Sequence, residues 1–165
     1  MRNVEYFKDK NITIVGLARS GVACANLLHS LGSCVRVTEI KDNAQTRGSA
    51  AILESKGILV ELGAHSKDFI SQADLIVISP GVPGNVQPII WAKELAKPVY
   101  AEIEIASMLC AAQIIAVTGS NGKTTVSTLI GRILAESGKK VFVCGNIGNP
   151  FCRDVQKMQK SDFIY

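Results

Sequence analysis

Short runs of apolar, β-favouring residues alternate along the chain with stretches whose apolar positions recur at helical spacing. Ile12–Val15, Val35–Thr38, Leu59–Leu62, Leu75–Ile78, Ile114–Thr118 and Val141–Cys144 read as strands. Leu75-Ile76-Val77-Ile78 and Ile114-Ile115-Ala116-Val117 carry no polar residue, which predicts strands covered on both faces. Between the strands, Cys24, Leu27, Leu28 and Leu31 line up on one side of a helix that Gly32 ends, and Val126, Leu129, Ile130, Ile133 and Leu134 repeat the pattern before Gly138. Each helix is expected to lay that stripe on a sheet. The alternation as a whole predicts an α/β fold with a parallel sheet.

A second strand, glycine and helix start occurs after Gln113, which places a boundary near Ala111–Gln113. The expected organisation is a Rossmann-like parallel-sheet unit over residues 1–111. Residues 112–165 then read as the first strand, P-loop, helix and strand of an ATPase domain. Phe163-Ile164-Tyr165 opens another β-type run with no turn or cap after it. About 50 residues of a parallel α/β unit make a poor core by themselves, so the chain is expected to be part of a longer protein and inactive alone.

Composition narrows the function classes. Of 165 residues 47% are apolar and 19% charged, enough buried surface to fold and too much for disorder. A net charge of +4 is spread along the chain rather than gathered into a run, which argues against nucleic acid and suits phosphorylated, anionic ligands. Cys24, Cys34, Cys110, Cys144 and Cys152 form no C-x-x-C pair, so they read as small buried apolar residues rather than metal ligands or a redox pair. The first ten residues hold no apolar leader core, and no apolar run reaches the about 18 residues a membrane helix needs. A cytoplasmic monomer without membrane insertion is expected.

The strongest chemical signal is Thr118-Gly119-Ser120-Asn121-Gly122-Lys123-Thr124-Thr125, set between an apolar strand and an amphipathic helix. Phosphate groups need unhindered backbone N–H groups, which glycine allows, at a helix N-terminus whose partial positive charge attracts anions. Lys123 would reach the β- and γ-phosphates and the Thr124 hydroxyl would ligate Mg²⁺. The spacing departs from the common P-loop, which would need a glycine at Val117.

Nearer the start, Val15-Gly16-Leu17-Ala18-Arg19-Ser20-Gly21 has the form of a dinucleotide-binding turn, with Glu39 downstream where an acidic residue would meet a ribose. Alanine at position 18 stands where such a turn has its middle glycine, and its methyl crowds a pyrophosphate. On the residues alone, an NAD(P)- or nucleotide-binding sensor module and a close-packing turn both remain open.

Gly119-Ser120-Asn121-Gly122-Lys123-Thr124-Thr125 resembles the ATP loop of the Mur ligases and folylpolyglutamate synthetases, which use this shorter spacing. Ser79-Pro80-Gly81-Val82-Pro83, Ala101-Glu102-Ile103-Glu104 and Gly145-Asn146-Ile147-Gly148 resemble segments of the D-glutamate-adding Mur ligases in the same order. The resemblance implies ATP-driven amide formation in peptidoglycan synthesis, with UDP-N-acetylmuramoyl-L-alanine and D-glutamate as substrates and ATP with Mg²⁺ as the driving pair. Residue by residue, it implies an ATP site over Gly119, Ser120, Asn121, Gly122, Lys123, Thr124 and Thr125, with Lys123 and Thr124 catalytic and Thr124 on the metal. It also implies a site for the UDP part over Arg19, Ser20, Glu39, Ile40, Lys41, Ser79, Pro80 and Gly81, and places Asn146 near the muramoyl part. The family often has aspartate where this chain has Glu39. Other polar residues take plainer readings: His65 and His29 belong to the surface, Trp91 packs, and Glu102 and Glu104 are acidic residues favoured at a helix start.

Overall fold

The computed structural model describes residues 1–145 and 148–165. The front part runs α1 (Val4–Phe7), β1 (Asn11–Val15), α2 (Arg19–Ser30), β2 (Cys34–Glu39), α3 (Ala44–Glu54), β3 (Leu59–Leu62), α4 (Lys67–Ser71), β4 (Leu75–Ile78), α5 (Gln87–Glu94), β5 (Val99–Ala101) and α6 (Glu102–Leu109). The remainder runs β6 (Gln113–Ile114), α7 (Lys123–Glu136), β7 (Val141–Phe142), α8 (Phe151–Asp154), a short 3₁₀ turn and β8 (Phe163–Ile164). Two parallel sheets result, a five-stranded one in the order β3-β2-β1-β4-β5 and a three-stranded one in the order β6-β8-β7.

Period-two alternation on the central strands divides the core between the two faces of the larger sheet. Ile12 and Ile14 of β1 and Leu75 and Val77 of β4 point to α2, α3 and α6, where they meet Leu28, Leu53, Ile105 and Leu109. Val15 and Ile76 point to the opposite face and meet Ile70 of α4 and Ile89 and Ala92 of α5. Trp91 packs at the edge of that second cluster, as expected. Side chains of this size contribute about 1.5–3 kcal/mol each when fully buried, which is why the uninterrupted apolar run of β4 needs a layer on each side.

Three departures from the sequence reading have physical causes. The run Ile114–Thr118 pairs over Gln113–Ile114 only, and Ile114 is 47% exposed, because the smaller sheet has a helix on one side and little over the other. On α7 the stripe is rotated from the expected one: Ile130, Gly131 and Leu134 turn inward, and Val126, Leu129 and Ile133 remain exposed. The absence of a side chain at Gly131 lets α7 approach Tyr165, whose ring lies within 2.5 Å of where a Cβ would stand. Strand β5 is too short to announce itself; it exists because Val99, Tyr100 and Ala101 pair with Ile76, Val77 and Ile78.

The smaller sheet does not build a separate core. Phe151, Cys152, Val155, Met158 and Ile164 belong to the same buried cluster as α2 and α6. Glu102, expected to be a plain helix-start residue, is 3% exposed and accepts a hydrogen bond from the Cys152 backbone at 2.9 Å, tying α6 to α8. Glu104 does play the expected part, its carboxylate accepting from the Ala101 N–H at 2.6 Å. No helix among the described residues is long and apolar enough to cross a membrane.

All five cysteines are free. Cys24, Cys110 and Cys152 are buried and Cys144 half-buried, but Cys34, at the first position of β2, is exposed, a correction to its expected burial. Burial, reinforced by the Asp154 and Glu102 carboxylates, pushes the Cys144 thiol up to about 12. Brief iodoacetamide treatment of the folded chain near pH 8 therefore modifies Cys34, and the other four only after denaturation, because the thiolate must be both formed and reached. Mass spectrometry of peptides from the two samples reads this directly; equal labelling of Cys34 and Cys152 in the folded sample would contradict the packing.

Candidate functional site

Parallel strands present their carboxyl ends along one edge, and in an open sheet the crevice lies where the strand order reverses. Here that point falls between β1 and β4. The turn after β1 is pinned there: Gly16 has φ 103°, and the Ser79 hydroxyl at the end of β4 donates to its carbonyl at 3.0 Å. Gly21 packs so closely that an added Cβ would lie 2.1 Å from the Gly16 carbonyl oxygen. Glu39, at the end of β2, accepts from the Leu17 N–H at 2.8 Å through one oxygen and from the Lys41 N–H at 2.9 Å through the other.

These residues open onto a cavity of about 360 Å³ whose lining includes Gly16, Glu39, Ile40, Lys41 and the loop from Ser79 to Pro83. Six residues singled out in the sequence for the UDP part, Glu39, Ile40, Lys41, Ser79, Pro80 and Gly81, thus meet in one place. Arg19 and Ser20 do not line it. Arg19 lies in the wall of a neighbouring cavity of about 550 Å³ between α2, α3 and α8 and reaches the Gly148 carbonyl at 3.5 Å, while Ser20 sits half-buried in the first turn of α2. Asn146 lies outside the described residues. Asn149 donates to the Asp154 carboxylate at 2.8 Å. Burial pulls the Asp154 pKa upward, but hydrogen bonds from Lys157 and Asn149 outweigh it and the net shift is downward.

His65, read as a surface residue, also lines the cavity and is half-buried. Its Nδ1 is 2.7 Å from the Thr38 hydroxyl, which itself donates to Glu61 at 2.9 Å. Burial pushes the imidazole pKa below its ordinary value, against the upward pull of Glu61 and Glu39. No sequence motif points to His65. It reaches the cavity because β3 lies beside β2 and the loop after β3 folds back over Thr38.

The phosphate loop leads into α7 as the spacing requires. Gly122 is the N-cap with φ 77°, a left-handed conformation that glycine adopts without strain, and no side chain caps the helix. Its first N–H groups are therefore turned toward whatever the loop holds. The Lys123 ammonium donates to the carbonyls of Gly119 and, at 3.3 Å, Ser120. Among the described residues the Thr124 hydroxyl has no hydrogen-bond partner, leaving it free as an oxygen donor to a cation. Lys123 and Thr124 line a cleft of about 480 Å³ that Ile103, Glu104 and Ser107 of α6 close from the other side. Gly119, Ser120, Asn121, Gly122 and Thr125 complete the loop and are exposed. Among the described residues no three His, Cys, Asp or Glu side chains are grouped to hold a metal ion.

Residues 10–101 match the family described as Mur ligase MurD-like, N-terminal domain, and residues 117–162 match the Mur ligase middle domain. The UDP-N-acetylmuramoylalanine–D-glutamate ligase of Pelobacter propionicus is 46% identical over 142 residues, 86% of this chain and 32% of that protein. The enzyme of the same name from Geotalea uraniireducens is 46% identical over 156 residues, 94% of this chain and 34% of that protein. The chain thus spans about a third of the length of these curated relatives. Among solved structures, a pseudomurein peptide ligase type C from Methanothermus fervidus matches over 94% of this chain and 32% of its own with a TM-score of 0.55 and 24% identity, a likeness of fold.

Proposed function

The chain belongs to the Mur ligase family, and from that premise we propose that it forms the UDP-substrate-binding unit and phosphate loop of an ATP-dependent ligase joining D-glutamate to UDP-N-acetylmuramoyl-L-alanine. The observation that carries this reading is the coexistence of two sites of different chemistry in one chain. One is an uncapped helix N-terminus behind a glycine loop with Lys123 and Thr124, and the other a crevice at the strand-order reversal of the larger sheet. Residues 1–111 and 112–165 are proposed as the two domains, supported by the separate sheets and the separate family matches. Both units contribute side chains to one buried cluster.

In the proposed reaction a carboxylate oxygen of the UDP substrate attacks the γ-phosphorus of ATP, and the bond to the ADP oxygen breaks. The amine of D-glutamate then attacks the acyl carbon, phosphate leaves with the C–O electron pair, and the amine gives up a proton. The N–H groups opening α7 receive phosphate oxygens. Lys123 exchanges its contacts with the loop carbonyls for contacts with the transferring phosphoryl group, where a preorganised positive charge lowers the barrier. Magnesium, when bound, neutralises phosphate charge, and the Thr124 hydroxyl is the oxygen this loop offers it.

Isothermal titration of the 165-residue chain separates this reading from that of a nicotinamide-nucleotide sensor. Saturable binding of UDP-N-acetylmuramoyl-L-alanine, with NADH at least about tenfold weaker, is expected, in line with the family match over residues 10–101. Tighter binding of NADH than of the UDP ligand would overturn it.

A further inference from the structure

The cavity of about 550 Å³ runs along the outer side of α2, with α3 as one wall and α8 with the turn after it as the other. It shares no lining residue with the UDP crevice: Gly16 and Ala18 of the β1 turn face the crevice, whereas Leu17 and Arg19 face this cavity. On α2 the lining recurs as Arg19, Val22, Ala23, Asn26, Leu27 and Ser30, one face of the helix from its first residue to its last. At 1.5 Å per residue the trough is roughly 16 Å long. Its charge is one-sided. Arg19, Lys56 and Arg153 line it and, among the described residues, no Asp or Glu does, whereas the UDP crevice includes Glu39. None of the three cations has a carboxylate within ion-pair distance among the described residues. Asp154, next to Arg153 in the chain, faces Asn149 and Lys157 instead.

The partners these cations do have are neutral. The guanidinium groups of Arg19 and Arg153 reach the Gly148 carbonyl and the Asn149 side-chain oxygen, each at 3.5 Å, the outer limit of a hydrogen bond, and the Lys56 ammonium donates to the Asn26 amide oxygen. An anion replaces such contacts with bonds charged on both sides, which are about twice as strong. The spacing of the charges defines that anion. Gly148 and Asn149 adjoin in the chain, so Arg19 and Arg153 serve one end of the trough, and Lys56, beside Asn26, stands two turns of α2 further on, roughly 10 Å away. Between the two ends, Gln45 and Ser49 of α3 offer an amide and a hydroxyl. We propose that this trough binds a small metabolite with an anionic group at each end and hydroxyls between, the chemistry of a sugar bisphosphate. One phosphate sits on Arg19 and Arg153, the other on Lys56, and the hydroxyls meet Gln45 and Ser49. The walls come from both units, α2 and α3 from the first and α8 from the second, so the ligand fastens one to the other.

The test titrates the 165-residue chain with fructose 1,6-bisphosphate and with fructose 6-phosphate, which lacks one of the two end groups. The unaltered chain is expected to bind the bisphosphate about tenfold or more tightly than the monophosphate, and both more weakly as salt rises, since the attraction is between exposed charges. Lys56→Ala should bring the bisphosphate down to the monophosphate and leave the monophosphate, seated on the two arginines, within about twofold. Arg153→Ala should weaken both by about tenfold. Lys56 and Arg153 are exposed, so neither change threatens the fold. Saturating UDP should not displace the bisphosphate and Lys123→Ala should not weaken it, which separates the trough from the UDP crevice and from the phosphate loop. Equal affinity for the two sugars, a bisphosphate preference that survives Lys56→Ala, displacement by UDP, or loss of binding in Lys123→Ala each overturns the proposal. So does the absence of saturable bisphosphate binding up to about 10 mM.

Discussion

Replacing Lys123 by alanine in a ligase of the relatives' length that carries this segment should reduce turnover about a hundredfold or more and leave the affinity for the UDP substrate within about twofold. The asymmetry follows from where the lysine stands. Its ammonium lies over the loop that opens α7, bonded to the Gly119 and Ser120 carbonyls, whereas the proposed UDP cavity is lined by a separate set of residues on the larger sheet. Charge that builds on a phosphoryl group in flight is stabilised by a cation already in place, and removal of one such group costs several kcal/mol of barrier. Ground-state binding of a ligand held elsewhere is untouched. Steady-state phosphate release gives turnover and calorimetry gives the UDP-substrate affinity; activity within threefold of the unaltered enzyme would rule out the role assigned to Lys123.

Gly21→Ala should be the most damaging conservative change in the front unit, at about 3 kcal/mol of stability. A Cβ there would stand 2.1 Å from the Gly16 carbonyl oxygen and 2.6 Å from the Ser79 hydroxyl, and the first of these is backbone that has no rotamer to escape into. Relief requires opening the turn, which breaks the Ser79 contact and moves the rim of the cavity. For a chain of 165 residues this amounts to a fall in melting temperature of roughly 6–12 °C, with UDP binding lost in parallel. Gly48→Ala is the matched control: it sits inside α3 with nothing within 4 Å of the added methyl, so it should gain about 0.5–1 kcal/mol from reduced unfolded-state freedom. Equal melting temperatures for the two variants would show that the turn does not pack this tightly.

The phosphate loop was legible because its chemistry is local. Glycines, a lysine and a threonine at fixed spacing meet a helix start whatever the rest of the chain does, and Gly122 and Lys123 stand where the spacing puts them. The residues that the resemblance assigns to the UDP part come together in part. Glu39, Ile40, Lys41, Ser79, Pro80 and Gly81 end their strands on one edge, and a parallel sheet brings strand ends together by construction. Arg19 follows the same turn in sequence but opens α2, and there it lines the neighbouring cavity. Nothing in the spacing of residues 19 and 20 fixes the direction a helix carries them.

Local pattern by itself determined β1 to β4 of the larger sheet, the helix stops at Gly32 and Gly138, and the loop that opens α7, since each depends on backbone preference and on apolar positions a few residues apart. Tertiary structure alone decided the rest. It turned Ile130 and Leu134 of α7 inward and left Val126, Leu129 and Ile133 out, because the neighbouring strands, with Tyr165 against Gly131, chose the face. It buried Glu102 against α8 and left Cys34 exposed at the start of its strand. It also drew His65 onto Thr38, a contact between residues 27 positions apart that exists only once β3 has paired with β2. Burial and hydrogen-bond partners at such distances are properties of the assembled sheet and have no counterpart in local periodicity.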